Sequence, residues 1–120
     1  MKPKILVVDD EPSLRMLMKE YLQSAGYEVN EASSGLEALK MIAGNKPDLI
    51  FLDVIMPQMT GLVVLKKIKE LFPEIIIVMI TALQEESTAR EAIELGAYDY
   101  VTKPVDFKRI EQDFIKRLFD

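Results

Sequence analysis

The sequence predicts an α/β domain in which a parallel sheet of five strands is covered by helices on both faces. Short apolar segments alternate with longer amphipathic ones along the 120 residues, and this alternation is typical of βα units joined by right-handed crossovers. Apolar residues make up 49% of the chain, which is enough for the core of one domain of this length. We therefore expect residues 1–120 to form a single three-layer α/β/α domain.

The five predicted strands cover residues 4–8, 28–32, 49–52, 75–80 and 98–102. Four of them are nearly continuous in Ile, Val, Leu or Phe, as expected for strands of a parallel sheet that are buried on both faces. The second strand alternates polar and apolar residues instead, and this alternation predicts an edge strand.

The first two helices are predicted from their end signals. Pro12 suits the first turn of a helix that ends at Gly26, because glycine accepts the positive φ of a helix terminus. Ser34 and Glu37 form a capping-box pattern for a second helix, which we expect to end at Gly44.

Similar signals predict the remaining three helices. Thr60 and Gly61 begin the third helix and Pro73 closes it. The fourth helix is expected over about residues 85–95, and Asp106 caps the fifth.

Helical spacing separates core positions from surface positions on the first and fifth helices. The expected core stripes are Leu14, Leu17, Met18, Tyr21 and Leu22 on the first helix and Phe107, Ile110, Phe114 and Leu118 on the fifth. We expect exposure at the apolar residues outside these stripes, which are Met16, Ile115 and Phe119.

The composition excludes several kinds of chemistry. The chain has no His and no Cys, so it lacks the side chains of ordinary zinc sites, disulfides and Ser–His or Cys–His nucleophile pairs. Fifteen Lys and Arg against twenty Asp and Glu give a net charge of −5, which disfavours a nucleic-acid-binding surface. No apolar run approaches the ~20 residues that span a bilayer. The missing cysteines and export signal predict a cytoplasmic location.

A polar side chain follows the carboxyl end of four of the five predicted strands. Asp9 and Asp10 follow the first strand, Asp53 the third, Thr81 the fourth and Lys103 the fifth. Taken singly, each is an ordinary turn or cap residue. Because ligands of open parallel sheets bind at the carboxyl ends of the strands, we expect these five side chains to converge on one site.

The expected cluster favours a metal and phosphoryl-transfer chemistry. Three carboxylates repel one another and raise one another's pKa, and a hard divalent cation such as Mg²⁺, or Mn²⁺ in its place, relieves that repulsion. Mg²⁺ and a lysine beside a carboxylate are groups typical of phosphoryl-transfer sites, where the two cations neutralise the charge of the phosphoryl oxygens. A carboxylate can itself be the nucleophile, so the sequence predicts phosphorylation on an aspartate.

Five ordered motifs, spread over the whole chain, resemble those of bacterial response-regulator receiver domains. They are residues 5–11 (ILVVDDE), residues 47–53 (PDLIFLD), Met56-Pro57 with Gly61, Thr81-Ala82 and residues 96–104 (GAYDYVTKP). The resemblance implies a flavodoxin-like fold with strand order 2-1-3-4-5. It also implies a phosphoacceptor in two-component or phosphorelay signalling, of the kind found in chemotaxis and sporulation.

The resemblance also implies roles for individual residues. Asp53 is expected to accept the phosphoryl group. Asp9, Asp10 and Asp53 are expected to hold Mg²⁺ together with the backbone carbonyl of Ile55. Lys103 is expected to pair with a phosphoryl oxygen as a point charge. The peptide bond between Lys103 and Pro104 is expected to be cis.

A switch and a set of partners follow from the same resemblance. The Thr81 hydroxyl is expected to turn toward the phosphoryl group, and the Tyr100 ring to fill the space it leaves. This change would alter the face of helix 4, strand 5 and helix 5, where a downstream protein or output domain binds and a phosphorylation-dependent dimer could form. Since the chain has no His, the phosphohistidine donor would be a partner histidine kinase or phosphotransfer protein.

Three alternative functions share some of these features. A Mg²⁺-dependent phosphohydrolase of the haloacid-dehalogenase type would use an aspartate after the first strand as its nucleophile. The two aspartates of that type are spaced by one residue, whereas Asp9 and Asp10 are adjacent. A flavin module needs a phosphate loop where this chain carries acidic residues. A scaffold receiver that is never phosphorylated would not need every site residue. The sequence leaves open whether the chain stands alone or is part of a longer transcriptional regulator.

Overall fold

The computed structural model describes residues 2–120, and in this part of the chain five strands alternate with five helices. The strands are β1 Lys4–Val8, β2 Glu28–Ala32, β3 Leu49–Leu52, β4 Ile76–Thr81 and β5 Asp99–Thr102. The first four helices are α1 Pro12–Ser24, α2 Gly35–Gly44, α3 Gly61–Leu71 and α4 Glu86–Glu94. Helix α5 has three stretches, which are Phe107–Ile110, the π-helical Glu111–Lys116 and Arg117–Phe119. Within the residues described, no helix combines the length and the apolar character needed to cross a bilayer.

All strand pairs are parallel, in the order β2-β1-β3-β4-β5. This confirms the predicted α/β/α fold class and strand order. At the carboxyl end of β1, Val8 pairs with Ala32 on one side and with Leu52 on the other. The ends of β1, β2 and β3 are therefore level, so that the residue after β1 lies beside the residue after β3.

The two edge strands differ from the three central ones in burial. Strand β2 lies at one edge, as its alternating sequence predicts. Strand β5 lies at the other edge, and all four of its residues are exposed or half-buried. The prediction that this strand is buried on both faces was wrong, because an edge strand lacks a neighbour on its outer side.

The core consists of two apolar layers, one on each face of the sheet. One layer packs β-strand side chains against α2, α3 and α4, and its largest fully buried members include Ile50, Leu52, Leu65, Ile68 and Met79. The other packs them against α1 and α5, with Ile5, Met18, Leu22, Phe51 and Phe114 among its members.

Helix α1 buries fewer of its apolar residues than predicted, whereas helix α5 buries more. On α1, Leu17 is 57% exposed, since the buried positions repeat every four residues through Met18 and Leu22 and leave Leu17 about 100° away around the helix. On α5, Ile115 is 0% exposed. It lies in the π-helical stretch, where the wider turn carries both Phe114 and Ile115 into the core. The prediction that Ile115 is exposed was therefore wrong, and so was the same prediction for Phe119, which is half-buried and packs against this core layer. Met16 is exposed as predicted.

Candidate functional site

Asp9 is the residue that follows β1, and its carboxylate is buried, with each of its two oxygens accepting a hydrogen bond. Its backbone N–H donates to the carbonyl of Ala32 at 3.2 Å, which extends the pairing with β2. Its Oδ1 accepts from the backbone N–H of Glu11 at 2.8 Å, and its Oδ2 accepts from Lys103 Nζ at 2.9 Å. These three bonds hold the carboxylate at the carboxyl end of the sheet.

Asp53 occupies the same position after β3. Its backbone N–H donates to the carbonyl of Val8 at 3.0 Å, its Oδ1 accepts from the N–H of Ile55 at 3.1 Å, and its Oδ2 accepts from Lys103 Nζ at 3.1 Å. Asp53 is buried, like Asp9. The start of α3 lies directly against it, because a Cβ on Gly61 would overlap the Asp53 carbonyl oxygen.

Lys103 joins the two buried carboxylates. Its backbone N–H donates to the carbonyl of Thr81 at 2.8 Å, and its peptide bond to Pro104 is cis. Burial opposes the charged form of Lys103, but the hydrogen bonds to Asp9 and Asp53 raise its pKa. Burial raises the pKa of Asp9, and the nearby Asp53 charge adds to that rise. Lys103 therefore stays protonated and neutralises part of a crowded acidic site.

Asp10 completes the acidic cluster. Asp9, Asp10 and Asp53 each offer a carboxylate oxygen, and these oxygens lie within 4.8 Å of one another. Asp10 is exposed, whereas the other two are buried. One ammonium cannot balance three carboxylates, and clustered carboxylate oxygens open to water on one side are the ligand set that suits Mg²⁺ or Mn²⁺.

Thr81 and Tyr100 meet at the backbone of Leu83. The buried Thr81 hydroxyl accepts from the Leu83 N–H at 3.3 Å, and the Tyr100 hydroxyl donates to the Leu83 carbonyl at 2.6 Å. Tyr100 is half-buried and packs against the core layer that lies between the sheet and helices α2, α3 and α4. Burial raises the pKa of its hydroxyl, and the charges of Glu85 and Asp53 add to the effect. The two residues of the predicted switch therefore hold the same loop residue.

The structure brings most of the predicted site residues together. Asp9, Asp10, Asp53 and Lys103 form one cluster, and Thr81 and Tyr100 are linked through Leu83. For Ile55, the structure gives a backbone N–H bonded to Asp53 and a side chain that is 53% exposed. Its carbonyl as a metal ligand stays a prediction.

Sequence reasoning missed Arg15 and Glu31. Arg15 Nη1 donates to the Asp9 carbonyl at 2.7 Å, and Arg15 Nε donates to Glu31 Oε1 at 2.7 Å. The sequence shows only a basic residue early in α1 and an acidic residue in the edge strand β2. That pattern is the ordinary one for a solvated surface, and it carries no signal for a contact with the acidic loop.

Comparison with known proteins identifies the family. The family model described as the response regulator receiver domain matches residues 5–114. The chain belongs to this family. It is therefore a receiver domain of two-component signalling, a family whose members accept phosphoryl groups from kinases or phosphotransfer proteins and act on downstream output domains.

Curated relatives include both short and long proteins. The chain is 37% identical over 117 residues to sporulation initiation phosphotransferase F of Bacillus subtilis and 36% identical over 119 residues to the chemotaxis protein CheY of the same organism. These matches cover 98% of this chain and 94% and 99% of the two relatives. A third relative, the alkaline phosphatase synthesis transcriptional regulatory protein PhoP of Bacillus subtilis, is 48% identical over 107 residues, which are 87% of this chain and 43% of that protein. The chain thus spans less than half of the PhoP relative's length.

Solved structures show the same fold. Chemotaxis protein CheY4 of Vibrio cholerae superposes with a TM-score of 0.91 at 31% identity, covering 99% of this chain and 100% of the other. The BeF3-activated receiver domain of DrrB superposes with a TM-score of 0.88 at 31% identity, covering 98% and 97% of the two chains.

Proposed function

We propose that this receiver domain takes a phosphoryl group onto Asp53 from the phosphohistidine of a partner kinase or phosphotransfer protein, in a step that depends on Mg²⁺ and that the domain catalyses itself. The observation that carries the proposal is the bridge formed by Lys103, which contacts Asp9 at 2.9 Å and Asp53 at 3.1 Å beside the third carboxylate of Asp10. Such a cluster supplies a nucleophile, a cation and a metal-binding face at one point.

Each part has a chemical role in the proposed transfer. Asp9, Asp10, Asp53 and the Ile55 carbonyl would hold the Mg²⁺, whose charge neutralises phosphoryl oxygens when it is bound. An Asp53 oxygen attacks phosphorus, the P–N bond to the donor imidazole breaks, and the imidazole nitrogen keeps the electron pair. Asp53 needs no general base, because its carboxylate carries no proton to remove.

Lys103 is the group that changes partner in this step. In the structure its Nζ bonds to the Asp53 Oδ2. Once that carboxylate becomes an acyl phosphate it loses its charge, and the phosphoryl oxygens carry the negative charge instead. Lys103 then pairs with a phosphoryl oxygen while its bond to Asp9 holds it in place.

The proposed output follows from the contacts at Leu83. A Thr81 hydroxyl that turns to a phosphoryl oxygen gives up its bond to the Leu83 N–H and leaves a space that the Tyr100 ring fills by turning inward, which breaks the Tyr100 bond to the Leu83 carbonyl. The loop before α4 therefore shifts, and the face formed by α4, β5 and α5 changes shape. A downstream protein, an output domain or a second copy of the chain would bind that face differently after phosphorylation.

The partners proposed are proteins of the cytoplasm, and the domain itself is proposed to bind neither nucleic acid nor a membrane. The support is the net charge of −5, which repels phosphate backbones and anionic lipid surfaces. We also propose that the domain acts as a phosphoacceptor and does not turn over a separate substrate.

Intact-mass measurement tests the proposal directly. The protein is incubated with Mg²⁺ and acetyl phosphate, and we expect one added phosphoryl group, which should not form when Mg²⁺ is chelated before acetyl phosphate is added. Asp53→Asn should show no addition. Asp120→Asn is the matched control, since it makes the same chemical change at an exposed residue at the chain end and should label like the wild type.

Two results would contradict the proposal. A phosphoryl group that maps to Asp9 would favour the phosphohydrolase chemistry, in which the nucleophile follows β1. A wild-type protein that folds and binds Mg²⁺ but takes no phosphoryl group from acetyl phosphate or from a phosphohistidine donor would favour a scaffold.

A further inference from the structure

Arg15 makes a contact that the proposed chemistry does not use. The guanidinium lies between two acceptors, with Nη1 2.7 Å from the Asp9 carbonyl oxygen and Nε 2.7 Å from Glu31 Oε1. Only 13% of the Arg15 side chain is exposed. Both bonds are short and charge-assisted, and a planar guanidinium can make them together without strain.

Glu31 keeps the guanidinium in that position. It lies in β2 beside β1, and its carboxylate also pairs with Lys19, one turn further along α1, at 3.2 Å. The hydrogen bond from Arg15 lowers the pKa of Glu31, so that Glu31 stays charged in neutral solution. The edge strand, α1 and the residue that follows β1 are therefore tied together by one ion-pair network.

The contact bears on the placement of Asp10. The Asp9 carbonyl belongs to the peptide unit between Asp9 and Asp10, so fixing that oxygen fixes the orientation of the peptide from which Asp10 projects. Asp10 is the exposed member of the acidic cluster, whereas Asp9 is also bonded to Lys103 and to the Glu11 N–H. Among the contacts of the described residues, the Arg15 bond is the one made to this peptide's carbonyl.

We propose that Arg15 is a positioning residue, which uses Glu31 as its support and orients the Asp9–Asp10 peptide so that both carboxylates can bind the same divalent cation. This role rests on the proposed function, because it concerns the ion that phosphoryl transfer needs. Groups that orient metal ligands from behind typically change metal affinity by about 10- to 100-fold when they are removed.

Charge and position make opposite predictions for Arg15. Removing a cation near three carboxylates makes the site more negative, so charge alone predicts tighter Mg²⁺ binding in an Arg15→Gln variant. The positioning role predicts weaker binding, by about tenfold. Lys19→Gln is the matched control, because Lys19 is also a cation of α1 paired with Glu31 but its described contacts include none with the Asp9 carbonyl. We expect its Mg²⁺ affinity to equal or slightly exceed that of the wild type.

The experiment is a calorimetric titration of Mg²⁺ into metal-free wild type, Arg15→Gln and Lys19→Gln, at a temperature where all three are folded by circular dichroism. If Arg15→Gln does not fold, Arg15→Lys replaces it. That variant keeps the charge but lacks the fork that reaches both acceptors, so about threefold weaker binding supports the role. Equal or tighter binding in the Arg15 variant, measured against Lys19→Gln, would overturn it. A wild type that binds no Mg²⁺ contradicts the proposed function and this role with it, whereas a loss confined to the Arg15 variants leaves both standing.

Discussion

The loop after β1, residues 9–11, and the loop after β3, residues 53–60, begin alike and then diverge. Each starts with a buried aspartate whose Oδ2 binds Lys103 and whose Oδ1 accepts from the N–H two residues later. Beyond that residue, the first loop runs directly into α1. Arg15 donates to its Asp9 carbonyl, and Glu31 in turn accepts from Arg15. The second loop is longer and carries the exposed side chain of Ile55.

This difference separates two tasks that one acidic cluster must perform. A group that holds a metal has to stay in place, and the anchored loop after β1 provides that. A nucleophile has to be reached by a donor protein, and Asp53 is the buried carboxylate whose own loop is open to solvent at Ile55. We therefore propose that the first loop mainly holds the metal and that the second loop accepts the phosphoryl group.

The largest effect is expected at Gly61, because the absence of a side chain there lets the start of α3 pack directly against the residues that follow β3. A Cβ at Gly61 would overlap the Asp53 carbonyl oxygen and lie 2.9 Å from Val54 Cα. Gly61→Ala should therefore destabilise the fold by about 3 kcal/mol, as overpacking against rigid backbone does, and should slow phosphoryl acceptance by displacing Asp53. Urea denaturation measures the first effect and the rate of mass addition measures the second.

Gly44→Ala is the control for that prediction, since a Cβ at Gly44 meets nothing within 4 Å. It should change stability by less than about 1 kcal/mol, and in the favourable direction, because alanine suits a helix better than glycine. Equal effects of the two substitutions would contradict the close packing of α3 against β3.

The next effect concerns Lys103, on which both loops depend. In the absence of Mg²⁺, Lys103→Gln leaves two buried carboxylates without their cation. We expect a loss of about 2 kcal/mol, below the roughly 3–5 kcal/mol of fully buried pairs because 17% of the Lys103 side chain is exposed. Added Mg²⁺ should raise the melting temperature of this variant more than that of the wild type, since binding to the folded state alone is stabilising.

Asp10→Asn is the opposite change at the same cluster. It removes one negative charge and leaves Lys103 paired with Asp9 and Asp53, so the metal-free protein should gain about 0.5 kcal/mol from reduced repulsion. A loss of stability in Asp10→Asn, measured in the same melts, would show that the cluster is not strained by like charge.

The smallest effect is a pH dependence of the ion pair that supports the first loop. The hydrogen bond from Arg15 lowers the pKa of Glu31 from its usual value of 4.5, so the folded protein holds this proton less tightly than the unfolded chain does. The stabilisation is fully present above pH 4.5 and is lost as the pH falls through the lower folded value. Glu31→Gln should therefore melt about 1 °C below the wild type at neutral pH, and this gap should close on acidification. A gap that stays constant down to pH 3 would contradict the ion pair.

The sequence predicted the site's main residues because topology alone brings them together. In a parallel sheet the carboxyl ends of neighbouring strands share one rim, so Asp9, Asp53 and Lys103 needed only their strands to be located correctly. The strands were located because four of the five were interpreted as nearly continuous apolar runs, each followed by a polar residue.

Two features could not be predicted from the sequence, for different physical reasons. The contact from Arg15 to the Asp9 carbonyl depends on how α1 packs beside β2, which charge patterns along the chain do not specify. The burial of Ile115 depends on the wider π-helical turn at Glu111–Lys116, and the spacing of apolar residues was interpreted with the ordinary helical period.

The division of tasks between the two loops is tested most directly by the initial rate of phosphoryl addition from acetyl phosphate, measured against Mg²⁺ concentration in Asp10→Asn and Asp53→Asn. We predict that Asp10→Asn is still phosphorylated, with half-saturation at about tenfold more Mg²⁺ than the wild type requires. Asp53→Asn should remain unphosphorylated at every concentration. Phosphorylation of Asp53→Asn at high Mg²⁺, or an unchanged Mg²⁺ requirement in Asp10→Asn, would contradict the assignment.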